Sequence, residues 1–179
     1  MRLVLAVEYK LLGIPYHRSA DGHSHSFVDL RANPAGIDLI PEAAKWPELK
    51  ATLECLNDTK RPFRTLGCAE FEYVSAPQPY TDAYVTFCFV EPRERENEHN
   101  YYALFHNFGG FLVNQASLPD QLNIRMELRN TVFYEENNLR AWSLEFWVQG
   151  LGKNTEERRR LPALGFSILR DFADGIQTR

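Results

Sequence analysis

Residues 123–150 read NIRMELRNTVFYEENNLRAWSLEFWVQG, and the fold follows from their periodicity. In the first half, apolar residues take even numbers, Ile124, Met126, Leu128 and Val132, while Arg125, Glu127 and Arg129 take odd ones. The second half repeats the parity with Trp142, Leu144, Phe146 and Val148 against Ser143, Glu145 and Gln149. Alternation of this kind belongs to a strand with one buried face, not to a helix. The stretch is therefore a long antiparallel hairpin with its even face in the core. Directly opposed residues share a face, so the loop must hold an odd number of residues. A three-residue loop, Glu136-Asn137-Asn138 with Asn138 left-handed, is the simplest solution. It predicts Val132 opposite Trp142, Leu128 opposite Phe146, Met126 opposite Val148 and Glu127 opposite Trp147.

Upstream, Ala69 to Ser75 and Ala83 to Val90 form a second hairpin on the same logic, with Phe71, Tyr73, Val85, Phe87 and Phe89 on the apolar side and Pro77 and Pro79 in the link. The parity rule allows Cys68 opposite Cys88. Pro47 opens a helix whose stripe is Leu49, Leu53 and Leu56, ended by Asn57-Asp58. Leu3 to Val7 is a strand, and Phe27 to Leu30 reads as a short one. Residues 98–115 fit two patterns. Tyr101, Leu104, Phe105 and Phe108 make a helical stripe stopped by Gly109-Gly110, the reading we favour, whereas Tyr102, Leu104 and Phe108 also alternate around a Gly-Gly turn. A last helix starts near Thr155, passes Pro162, carries Leu161, Leu164, Ile168 and Phe172 on one side, and ends at Gly175. Hairpin, helix, hairpin, helix implies one α+β domain over residues 1–179: an antiparallel sheet of four to five strands, two hairpins among them, with helices packed mainly on one face.

Twenty basic against twenty-four acidic side chains give a net charge of −4, which argues against a nucleic-acid partner. The dense run Arg158-Arg159-Arg160 follows Glu156-Glu157 and reads as a solvated helix face. No segment has the length or apolarity to span a bilayer, and the first residues lack the pattern of a signal peptide. Three unclustered cysteines, Cys55, Cys68 and Cys88, suit a reducing cytoplasm.

Chemistry-bearing patterns are sparse. His17, Asp21, His23 and His25 fall within nine residues and could hold a metal ion, giving a metal-dependent hydrolase. Glu96-x-x-His99 has di-iron spacing but occurs once, where two are needed. Gly150-Leu-Gly-Lys-Asn-Thr155 sits between strand and helix but lacks the phosphate-loop pattern, leaving weak anion binding at the helix start. No serine elbow is present, and an aromatic-lined ligand pocket is a third possibility. The odd face of the long hairpin projects Arg125, Arg129, Phe133 and Trp147 away from the core, and arginine and large aromatics dominate protein interfaces. The leading expectation is a small acidic cytoplasmic protein, without cofactor or catalysis, that binds another protein stoichiometrically as an inhibitor, immunity protein or chaperone-like adaptor. Self-association into a homo-oligomer is compatible with the same surface. The metal-dependent hydrolase is the alternative.

Overall fold

The computed structural model describes residues 1–16, 27–115 and 117–176. Strands β1 (Arg2–Ile14), β2 (Phe63–Tyr73), β3 (Tyr80–Phe89), β4 (Asn123–Phe133) and β5 (Leu139–Leu151) form one sheet in the order β1-β4-β5-β3-β2. Every pairing is antiparallel except β1 with β4, which is parallel. The helices are α1 (Pro41–Lys45), α2 (Pro47–Asn57), α3 (Pro92–Glu96), α4 (Glu98–Val113) and α5 (Thr155–Asp174). The architecture is α+β. Phe27 to Leu30 is not a strand, and the chain there leads to a 3-10 turn, Pro34–Leu39.

The alternating arms behave as their parity requires. Ile124, Met126, Leu128, Leu144, Phe146 and Val148 are all buried under α2, α4 and α5, with Phe108 of α4 edge-on to Phe146 and to Phe172 of α5. The helical reading of residues 98–115 holds, but Gly109-Gly110 do not stop the helix, which continues to Val113. Helix α5 lies close on β5 because two glycines permit it. A Cβ on Gly165 would meet Val148 Cγ2 at 2.5 Å, and one on Gly150 would meet the Arg158 carbonyl oxygen at 1.8 Å. Pro162 sits inside α5 rather than dividing it.

Two registers differ from expectation. In the long hairpin Asn130 opposes Trp142, Leu128 opposes Leu144 and Met126 opposes Phe146, a shift of two residues that leaves every face unchanged. The loop between Phe133 and Leu139 is longer than three residues: a 3-10 turn Tyr134–Glu136 is followed by Asn137 and Asn138, both left-handed. The extra length frees Glu136 to act elsewhere. In the second hairpin a bulge at Leu66 breaks parity, since Thr65 opposes Phe87 but Gly67 opposes Thr86. Cys68 therefore faces Val85 and Cys88 faces Arg64, so the two cysteines lie on opposite sides of the sheet and the Cys68–Cys88 pairing fails. Phe71 and Tyr73 consequently turn away from the helices.

Candidate functional site

The sheet face opposite the helices divides into a sealed end and an open end. At the sealed end Ile14, Leu66, Cys88, Phe133 and Ala141 form a second apolar cluster, flanked by Leu12, Tyr16, Phe27 and Leu139. Phe133, expected on a binding surface, is only 1% exposed. Its ring lies 4.2 Å from the Arg95 guanidinium and 5.0 Å from that of Arg64, and both arginines bond Glu136. Burial works against the Glu136 charge, but the two guanidiniums outweigh it and hold its carboxyl below the usual range. Phe133 is a structural residue.

Between the two ends is a band of buried polar groups. Thr131 and Ser143 share a hydrogen bond of 2.8 Å, and Glu127 stands opposite Glu145. Burial pushes the Glu145 carboxyl up, while Arg129 Nε at 3.1 Å, the Trp147 indole N–H at 3.0 Å and the Thr86 hydroxyl at 3.3 Å support its ionised form. Glu127 in turn takes Arg125 Nε at 3.2 Å. Every arginine here has a carboxylate, which anchors it in place.

The open end carries a row of side chains across four strands. Tyr84 of β3 opposes Trp147 of β5, and Trp147 opposes Arg125 of β4, not Glu127 as the expected register had it. The Tyr84 and Trp147 rings meet at 4.4 Å, tilted by 38°, and the Arg125 guanidinium, from the strand on the other side, lies 5.2 Å from the Trp147 ring. Phe71 of β2 runs nearly parallel to both rings at 6.2 and 6.3 Å, and Tyr73 stacks on Tyr80 at 4.4 Å where that hairpin ends. Phe71 is 43% and Tyr73 42% exposed, the Arg125 side chain 50%, and Trp147 is half-buried. Of the four residues expected on this surface, Arg125, Arg129 and Trp147 come together and Phe133 does not. Phe71 and Tyr73 were missed because the Leu66 bulge, which reverses the faces of β2, has no sequence signature; Tyr84 follows the expected parity of β3 and was missed because the β3–β5 pairing that brings it to Trp147 is not recorded in any local pattern.

No family model, curated protein or solved structure matches the chain.

The remaining expectations concern metals, anions and nucleophiles. His17, Asp21, His23 and His25 lie outside the described residues, and among the described residues no three metal-ligating side chains come together. Glu96 and His99 belong to different helices, α3 and α4, with Asn97 capping the second. The start of α5 is already occupied: Glu157 accepts the Lys153 N–H at 2.8 Å and the Asn154 side chain caps the Glu157 N–H at 2.9 Å, so the anion site considered there is filled from within. Arg158 and Arg159 do not form a solvated face. Arg159 makes a bidentate pair with Glu70 at 2.7 and 2.8 Å and covers Trp46 at 5.2 Å, while buried Arg158 reaches Glu72 at 3.2 Å. The Leu66 bulge is what turns those two glutamates toward α5.

A groove of about 500 Å³ beside edge strand β2 is lined by apolar side chains such as Leu12, Val28, Ile40 and Leu53, with Tyr16, Glu42, Thr65, Cys68, Glu70 and Tyr84 as its polar members. Burial first, and then the charges around them, pushes both the Tyr16 hydroxyl and the Cys68 thiol up to about 12. A thiol so far from ionised is a poor nucleophile.

Proposed function

We propose that the protein acts by stoichiometric binding of another protein through the open end of its sheet, with Trp147, Tyr84, Phe71 and Arg125 at the centre of the contact. The carrying observation is the stacked row. Tyr84 and Arg125 contact Trp147 from the two neighbouring strands, so the indole already has partners within the chain on both sides. A nucleobase or sugar ring binds by stacking on a free aromatic face. A protein surface needs only a rigid, half-exposed aromatic patch rimmed by fixed charges. Glu145 and Glu127 hold Arg129 and Arg125 in place, which lowers the ordering cost of binding. The net charge of −4 and three free thiols fit an acidic protein of a reducing compartment.

The test is Trp147→Ala together with Arg125→Glu, both compared with the native chain in capture from native cell extract and then in titration of the captured protein. Each change is expected to weaken a one-to-one complex by about 2 kcal/mol or more while the fold persists. Equal affinity of native and variant chains for every captured protein overturns the reading. A second reading rests on the groove at Tyr16, Glu42 and Cys68, whose apolar lining and few polar groups suit a small ligand. Thermal shifts on a small-molecule panel that vanish in Gly67→Leu, at a wall of that groove, would favour it.

A further inference from the structure

We propose that β1 is a self-association edge through which two copies of this chain join their sheets, antiparallel and two-fold symmetric about Leu5. The strand terminates the sheet, and β4 is the strand paired with it. It is a long edge, on which no further strand pairs among the described residues, and its exposed side chains include Val7 at 38% and Tyr9 at 84%. Natural edges are blunted by charge, bulges or cover; here Lys10 and the irregularity after Glu8 blunt the second half of β1, and Arg2 to Glu8 remains a regular edge whose two charges are opposite in sign.

The backbone fixes which residues offer that edge. The Arg2 N–H donates to Leu122 O at 2.9 Å, across to β4, so Arg2, Val4, Ala6 and Glu8 direct their peptide groups inward to the sheet. Alternation then directs the peptide groups of Leu3, Leu5 and Val7 outward. An antiparallel partner must place these three opposite one another. With Leu5 opposite the second copy's Leu5, Leu3 meets Val7 and Val7 meets Leu3, and each such pair exchanges two N–H to carbonyl bonds.

The side chains select this register from its neighbours. Centring on Leu5 sets Arg2 opposite Glu8 twice, once on each side of the axis, in the wide pairs where side chains approach most closely. Val4 then faces Ala6, an apolar filling between the two charge pairs. Centring one residue later, on Ala6, would oppose Arg2 to Lys10 and lose both attractions. Centring on Val7 would set Arg2 against Leu12. The register shift between Glu8 and Leu12 ends the regular edge, so a register centred on Tyr9, which would oppose Glu8 to Lys10, falls on irregular backbone. Within Arg2–Glu8 the Leu5 register is the one that opposes both charges, as a two-fold interface demands. On the helix side Leu3 lies against α4, where a Cβ on Gly109 would come within 3.7 Å of it, and partly buried Tyr102 and Phe105 continue that apolar border. The second copy's Val7 is brought beside Leu3 there.

The experiment is sedimentation equilibrium of the full chain across a concentration series, with charge reversals at exposed Arg2 and at half-buried Glu8, whose carboxylate also accepts the Lys10 N–H. The native chain is expected to be a dimer. Arg2→Glu and Glu8→Arg should each weaken it by at least about tenfold, because each change sets like charges opposite at two symmetric places. The double variant should recover most of the loss. A chain that stays monomeric up to about 100 μM overturns the proposal. So does a dimer that either single reversal leaves unchanged, or one that the double variant fails to restore.

Discussion

Glu136 shows how one exposed-looking residue can carry a buried load. Its carboxylate is about one-third exposed, yet it is the partner of Arg95, whose side chain is 1% exposed. Removing it strands a guanidinium in the interior, and breaking such a pair from one side is far costlier than forming it is favourable. Glu136→Ala should lower stability by about 2–3 kcal/mol, below the cost of a fully enclosed pair because water reaches the carboxylate side. Chemical denaturation at neutral pH measures it. The pH dependence has a definite sign. The folded carboxyl titrates below its unfolded value, so its contribution is complete above the ordinary glutamate range and is lost as pH falls through the depressed pKa. The gap between native and Glu136→Gln stability should therefore narrow on acidification from about pH 6 to pH 3. Glu145 works in the opposite sense. Its folded pKa is raised, chiefly by burial, so its protonation favours the folded state, and Glu145→Gln should remove a stability term that falls as pH rises from the ordinary glutamate range through the raised value. Opposite slopes in the two variants, read from the same denaturation series, are the expected result.

At the scale of elements, the closeness of α5 to β5 is set by glycines. Gly150→Ala forces a methyl into a backbone carbonyl that cannot rotate away, whereas Gly165→Ala meets a valine side chain. The first should cost about 3 kcal/mol or more, the second about 1–3, and thermal melts of the two variants should rank them in that order. Periodicity made β4, β5, α2 and α4 legible from sequence, since Met126, Phe146, Leu53 and Phe108 sit where their spacing requires. It erred where the chain departs from regular geometry without a compositional sign. The Leu66 bulge moved Phe71 and Tyr73 to the opposite face, and the 3-10 turn at Tyr134 lengthened a loop whose parity alone was fixed. The candidate site was half legible for the same reason: Arg125, Arg129 and Trp147 lie on regular strands, Phe71 joins them only through the bulge, and Tyr84 joins them through the β3–β5 pairing, which links distant parts of the chain. Phe133 followed the pleat as expected, but what covers it, Arg64 and Arg95 from distant parts of the chain, no local pattern records.

The whole molecule has a graded interior. Strand β5 is paired on both sides and sandwiched between the helices and the polar band, whereas β1 has one neighbour. Hydrogen exchange should be slowest for the amides of Leu144, Phe146 and Val148 and fast for those of Leu3, Leu5 and Val7 in dilute protein. The same three β1 amides should gain protection as concentration rises, while Arg2 and Val4, bonded inward, change little. Uniform protection along β1 at all concentrations would contradict both the edge position and its pairing. The parallel partnership of β1 with β4 also orders events during synthesis. Strand β1 is synthesised before the other four strands, and its partner begins about 110 residues after it ends, an interval of roughly 5–20 seconds at ordinary elongation rates. For that time β1, with both edges free, lacks the strand it pairs with in the folded chain. Neighbouring nascent chains on one message carry the same strand, complementary to itself, so assembly on the polysome could precede closure of the sheet, and dimers made in the cell should then exchange subunits more slowly than they form.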